Sequence, residues 1–184
     1  MPDSTLNNQK AQLQINAIHQ ELIEADNRIY KPLGFICSHL TIEPESSEYY
    51  ACCFNLNNFT VQFRVAKITP TKIGQFVTLW KRLKKGPIQP YNSTDLIDFF
   101  IITTRKEDRY GQFIFPKSVL CQHDIFSING EGGKRAIRVY PPWDVAVNKQ
   151  AQKTQKWQLK YFLEIPKNGA IDIANAKMLY QAWD

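Results

Sequence analysis

Long apolar runs are missing from this 184-residue chain; those present are short, as in Leu96–Ile97 and Phe99–Ile102. A membrane span needs about 20 such residues, so a bilayer-crossing helix is excluded. The first twenty residues are polar and mixed, without the basic head and apolar core of a secretory signal. The four cysteines (Cys37, Cys52, Cys53, Cys121) form no CxxC pair, and adjacent Cys52 and Cys53 would face opposite sides of a strand. Reduced thiols in a cytoplasmic protein are therefore expected. His19, His39 and His123 lack metal-ligand spacing, and Ser46 and Ser47 lack a GxSxG setting. The glycine-rich Gly130–Lys134 segment lacks the GxxxxGK[ST] pattern of a phosphate loop, so a hairpin turn is expected there, with Asp124 beside His123 serving turn chemistry.

What is present describes a globular chain. Hydrophobic residues make up 43% and charged residues 22%, enough apolar material for one domain with a substantial core. The net charge is +6 but unevenly spread. Residues 1–48 carry seven acids and three bases, a net of −4, which leaves +10 on the rest. Arg64–Lys85 holds seven bases and no acid, with Phe76 and Trp80 among them. Lys134–Lys160 holds seven bases and the single acid Asp144, with Tyr140, Trp143 and Trp157. Clustered cations neutralise phosphates and release counterions, and exposed rings stack on unpaired bases.

Periodicity gives the elements. Ile15, Ile18, Leu22, Ala25 and Ile29 recur at helical steps, predicting an amphipathic helix from about Leu6 to Ile29, closed by Pro32 and Gly34. Glu48–Leu56 and Phe59–Ile68, joined at Asn57–Asn58, predict a β-hairpin. In its second strand the apolar Phe59, Val61, Phe63 and Val65 alternate with Thr60, Gln62, Arg64 and Ala66, giving one oily and one polar face. Thr69–Gly74 reads as a turn, and Gln75–Arg82 fits a strand or a helical turn. Leu96–Thr104 and Tyr110–Phe115 form a second hairpin around Arg105–Arg109. A short helix follows from Pro116 to Gln122, a strand over Lys134–Tyr140, and helices over Lys149–Phe162 and Ala170–Trp183. The expected fold class is α+β or mixed α/β: a single domain with an N-terminal helix, a mainly antiparallel curved sheet built from two hairpins, and C-terminal helices.

Several segments together resemble the MepB-like family: Phe63–Lys67 with Thr69-Pro70, Gly74–Arg82, Gly111–Lys117, Gly133–Arg135 and Arg138–Trp143. The resemblance spans nearly the whole chain. It implies a bacterial protein of a family named for a neighbour of a multidrug-efflux operon. It assigns no catalytic residues, and the name carries no implication of transport.

The leading functional expectation is nucleic-acid (polyanion) binding, to DNA or RNA. Arg64, Lys67, Lys72, Lys81, Arg82, Lys117, Lys134, Arg135 and Arg138 are the candidate phosphate contacts, and Trp80 and Trp143 the stacking platforms. If the two hairpins share a sheet, Arg64, Lys67, Gln75, Gln112 and Lys117 are expected to converge. The element order also loosely resembles the restriction-endonuclease-like core, whose acids bind Mg²⁺. Under that alternative of a Mg²⁺-dependent nuclease or other phosphoester-acting enzyme, Glu48 and Asp98 supply carboxylates. Gln62-Phe63-Arg64 then stands where an acid-x-Lys strand belongs, with Lys67 nearby. Gln is a poor ligand and Arg no general base, so a degenerate, binding-only site is favoured, needing no cofactor. A third reading makes the acidic N-terminal helix a protein-docking face.

Overall fold

The computed structural model describes residues 20–181. The expected N-terminal helix is present where it is described. Helix α1 (residues 20–30) ends in a π-helical turn, Asp26–Tyr30, and buries Leu22, Ala25, Ile29 and Tyr30. Its predicted first part lies outside the described residues.

A six-stranded sheet forms the centre. It comprises β1 (Cys37–Ile42), β2 (Cys52–Leu56), β3 (Phe59–Val65), β8 (Phe99–Lys106), β9 (Arg109–Pro116) and β11 (Phe162–Glu164), in the order β1-β2-β3-β8-β9-β11. Both predicted hairpins, β2–β3 and β8–β9, are antiparallel, and they join through a parallel β3–β8 pair in which Arg64 lies beside Ile102. Parallel strands need a long crossover. Residues 66–98 supply it as strands: β4 (Lys67–Thr69), β5 (Lys72–Thr78), β6 (Trp80–Arg82) and β7 (Ile88–Pro90). With β10 (Ala136–Val139), β5 and β4 form a second sheet ordered β10-β5-β4, while β6 and β7 pair as a ribbon. Helices α2 (Lys117–Gln122), α3 (Lys149–Gln158) and α4 (Ile173–Gln181) complete the mixed α+β fold. Among the described residues no helix is long and apolar enough to cross a membrane.

The sheet is covered on both faces. Phe63, Phe99, Ile101 and Ile114 pack in one core with α1 and α4; Phe100, Ile102, Phe113 and Phe115 pack in the other with Val77, Ile137 and Leu120. The polar face expected of β3 is therefore interior, because the crossover strands close over it. Arg64 is fully buried. Its guanidinium donates to Glu43 Oε2 at 2.6 Å, to the Phe63 carbonyl at 2.8 Å and to the Tyr91 hydroxyl at 3.2 Å, and it lies 5.4 Å from the Phe100 ring centroid. Burial pushes the Tyr91 phenol up to about 12, so it stays protonated and donates to Gln62 Oε1 at 3.4 Å.

Strands β1, β7 and β11 fall in no predicted strand. The predicted Phe59–Ile68 strand divides after Val65, with Lys67–Thr69 crossing to the second sheet as β4, and the predicted Thr69–Gly74 turn narrows as β5 begins at Lys72. Strand β11 begins where the predicted Lys149–Phe162 helix was to end. After α3 the chain tightens into a 3-10 turn, Leu159–Tyr161, and Phe162 enters the sheet edge opposite Phe113. Gly111 makes this docking possible, since a Cβ there would stand 2.2 Å from the Phe162 ring and 2.8 Å from the Leu163 carbonyl. The four cysteines are free, with Cys52 buried and Cys53 half-buried as their alternation requires.

The Arg64–Glu43 pair makes a stability prediction. Glu43→Ala strands a buried guanidinium and is expected to cost about 3 kcal/mol, the lower end for a broken buried pair, because the Glu43 side chain is 26% exposed. Urea denaturation should show a lower midpoint at unchanged slope. Replacing both residues by leucine should recover much of the loss.

Candidate nucleic-acid interface

The small sheet leaves β10 as an edge strand, and an open edge has backbone groups to satisfy. Two glutamines of α3 meet that need. Gln158, 1% exposed, accepts from the Tyr140 N–H at 2.9 Å and donates to the Arg138 carbonyl at 3.0 Å. Gln155 Nε2 lies within 2.7–3.3 Å of the Tyr140, Pro141 and Asp144 carbonyls. A primary amide both donates and accepts, so Gln158 continues the strand's ladder into a helix. At the other end, Asn148 caps α3 by accepting from the Ala151 N–H at 2.8 Å.

Between β10–β5 and α3 lies a groove of about 950 Å³. Lys72, Lys134 and Arg138 line its sheet side and Lys153 its helix side, and no carboxylate lines it. Arg138 is held by neutral acceptors, the Gly74 carbonyl at 2.9 Å and Thr69 Oγ1 at 2.8 Å, with Phe76 beneath at 5.7 Å. Its position is fixed and its charge is not cancelled. Gly74 permits this packing, with φ at +81° and the Tyr140 ring too close for any side chain. His123 and Trp157 stack at the wall, centroids 3.9 Å apart and planes 11° apart. Burial, then Lys134 and Lys160, hold His123 below its usual pKa.

Elsewhere ten of the described bases pair with carboxylates. Six of the seven acids in residues 1–48 are described, and each meets a base: Glu21 and Glu24 with Arg105, Glu24 also with Arg28, Asp26 with Lys31, Glu43 with Arg64, Glu45 with Arg82, and Glu48 with Lys67. Segregation along the chain is thus not segregation in space. The described acids of the N-terminal docking face are turned to the protein's own bases, Arg28, Lys31 and Arg105. Among the described residues Lys72, Lys134, Arg138, Lys149, Lys153, Lys156 and Lys160 have no carboxylate partner, and neither do Lys84, Lys85, Lys117, Arg135 and Lys177 outside this group.

The predicted site residues consequently divide. Lys72, Lys134 and Arg138 come together in the groove. Arg64 is interior; Gln75 and Gln112 are buried too, donating to the Arg105 carbonyl and to Thr103 Oγ1. None of these three presents itself to a surface ligand, because both sheet faces are covered. The expected convergence with Lys67 and Lys117 gives way to separate partners: Lys67 takes Glu48 at 3.2 Å, and Lys117 the Asp95 carbonyl at 3.0 Å. Lys81 pairs with the Asp95 carboxylate. Arg82 binds Glu45 and covers Trp80, and Arg135 donates to the Ile88 carbonyl. Trp143 lies under Arg109 at 4.8 Å. Of the carboxylates considered for a metal, Glu48 is paired with Lys67 and Asp98 Oδ2 accepts from the Thr60 N–H at 2.7 Å. Among the described residues no three His, Cys, Asp or Glu side chains gather as a metal-holding group. Lys153 and Trp157 belong to the basic, aromatic-interleaved stretch Lys134–Lys160 without being among its candidate contacts, and His123, considered for a metal alone, carries no local signal of a place in this groove.

Two measurements probe the groove's construction. Gln158→Leu leaves two buried backbone groups unpaired, at about 1–3 kcal/mol each, and should speed hydrogen exchange at Tyr140. His123 has a folded pKa below its unfolded value of about 6.5. Its contribution to stability is therefore full above that pH and lost as pH falls through the folded pKa. An NMR titration should place its midpoint below 6.5, and Lys134→Met should raise the midpoint only partly, burial being the larger cause.

Comparison with known proteins comes in three parts. The MepB-like family model matches residues 43–164. The crystal structure of MepB is 41% identical, with 70% of this chain and 86% of that chain covered and a TM-score of 0.67. A bacterial homing endonuclease is 15% identical over 80% of this chain and 90% of its own, with a TM-score of 0.44, too low to support an argument. None of the curated proteins compared matches the chain. With the family model covering most of the chain and a solved relative sharing its fold, this protein belongs to the MepB-like family.

Proposed function

We propose that this protein binds nucleic acid through the groove between β10–β5 and α3, with phosphate contacts supplying most of the affinity. One observation carries the reading. Four cations, Lys72, Lys134, Arg138 and Lys153, line a concave site without a carboxylate, and none of the four has a carboxylate partner elsewhere among the described residues. A cleft of one sign concentrates field lines and raises the local concentration of an opposite charge. The unpaired bases continue along α3 through Lys149 and Lys156 to Lys160, giving a strand of phosphates a path beyond the cavity.

The interaction is a counterion-release equilibrium, so affinity falls linearly with salt on logarithmic axes. Lys72→Ala, Lys134→Ala and Lys153→Ala are each expected to reduce the slope by up to ~0.9 for duplex DNA and ~0.7 for a single strand. Lys67→Ala and Arg82→Ala, whose charges are already met by Glu48 and Glu45, are expected to change it less. Fluorescence anisotropy across a salt series measures this. Slopes indifferent to the three groove lysines would refute the assignment.

A further inference from the structure

The groove's aromatic wall allows the ligand to be specified further, on the assumption that the nucleic-acid reading holds. Trp157 is held by two rings. Phe115 of β9 lies at 5.3 Å, tilted by 48°, and His123 lies flat on the indole, centroids 3.9 Å apart. His123, following α2, is partly exposed and lines the groove, so its imidazole is the last ring of a column that starts in the core. Three rings in sequence, Phe115, Trp157 and His123, end at a partly exposed imidazole that lines the groove beside cations.

Such a column suits an unpaired base. Stacking on a rigid ring is tolerant of base identity because every base has a π-face. In a duplex those faces are occupied by neighbouring pairs, and only phosphates and groove edges are presented. The groove's volume of about 950 Å³ matches sites that enclose small ligands and suits a few nucleotides of one strand. Burial and the neighbouring Lys134 and Lys160 favour the uncharged imidazole, which offers a ring face without adding a further cation to repel its neighbours.

We infer that the groove takes a single unpaired strand, one base laid on the outer face of His123, its flanking phosphates held by Lys134 and Arg138 on one side and Lys153 on the other. His123 is then a ligand-contacting residue and Trp157 the positioning residue that holds it.

The test compares three labelled probes on the full chain at one low salt concentration: a short oligothymidylate, a duplex of equal length, and inorganic polyphosphate of equal charge. The oligothymidylate is expected to bind about tenfold more tightly than the other two, the scale of one stacked base. His123→Ala should abolish that advantage while leaving polyphosphate affinity unchanged. His123→Phe, which restores a ring, should keep the advantage and shows that any loss is not unfolding. Equal binding of oligothymidylate and polyphosphate, tighter duplex binding, or a His123→Ala protein with the advantage intact would each overturn the stacked strand while leaving phosphate recognition standing. Absence of binding to all three would overturn both.

Discussion

The parallel pairing of β3 with β8 is the constraint from which the layout follows. Two antiparallel hairpins can lie side by side with their inner strands parallel only if the chain crosses from one end of the sheet to the other. Residues 66–98 make that crossing as extended chain instead of a helix, and extended chain has edges. β5 takes β4 on one side and β10 on the other; β10 in turn takes the amides of Gln155 and Gln158. Each step answers a backbone hydrogen-bonding requirement left by the one before, and the last step places a helix of lysines opposite a strand of arginine.

The same crossover decides which charges are interior. By covering the β3–β8 face it encloses Arg64, and an enclosed guanidinium requires a carboxylate and further acceptors. Glu43, Tyr91 and the Phe63 carbonyl are those acceptors. The neighbouring acids Glu45 and Glu48 lie in the same connection between β1 and β2 and reach Arg82 and Lys67 on the crossover. The three acids between β1 and β2 and the bases Arg64, Lys67 and Arg82 of the first basic stretch are therefore halves of one electrostatic lock. Exposed pairs of this kind contribute little each; the buried Arg64 pair contributes the specificity of register, since no neighbouring position on β3 offers the same partners.

What was legible in the sequence was local. Alternation exposed β3, runs of apolar and β-branched residues around a charged turn exposed β8 and β9, and the helical recurrence of Leu22, Ala25 and Ile29 exposed the described part of α1. Resemblance over Phe63–Trp143 identified the family. The three-residue strands β7 and β11 carry no period, and Phe162 belongs to the sheet only because Gly111 leaves room for it. Charge was the most misleading feature, because base counts along a chain do not record which acids fold against them. Arg64 stood in an alternating strand as though it faced water; only a covered sheet turns it inward. Lys72, Lys134 and Arg138 were visible as bases, but their juxtaposition depends on β5 pairing with β10 across some sixty positions of sequence, with Thr78 opposite Ala136 and Gln75 opposite Val139.

Cancelling the locked pairs leaves a remainder that the fold itself does not use. Like charges gathered in a concavity repel, and that repulsion opposes the compact state. Arg138 makes the point most sharply. Its guanidinium is fixed by the Gly74 carbonyl and Thr69 hydroxyl and packed over Phe76, so it cannot swing away from Lys72 and Lys134 to dilute its charge. A surface lysine can relax into solvent; a clamped arginine cannot. Rigid placement of an uncancelled cation beside flexible ones has no internal partner to explain it, and an anionic strand would relieve the repulsion that the clamp preserves.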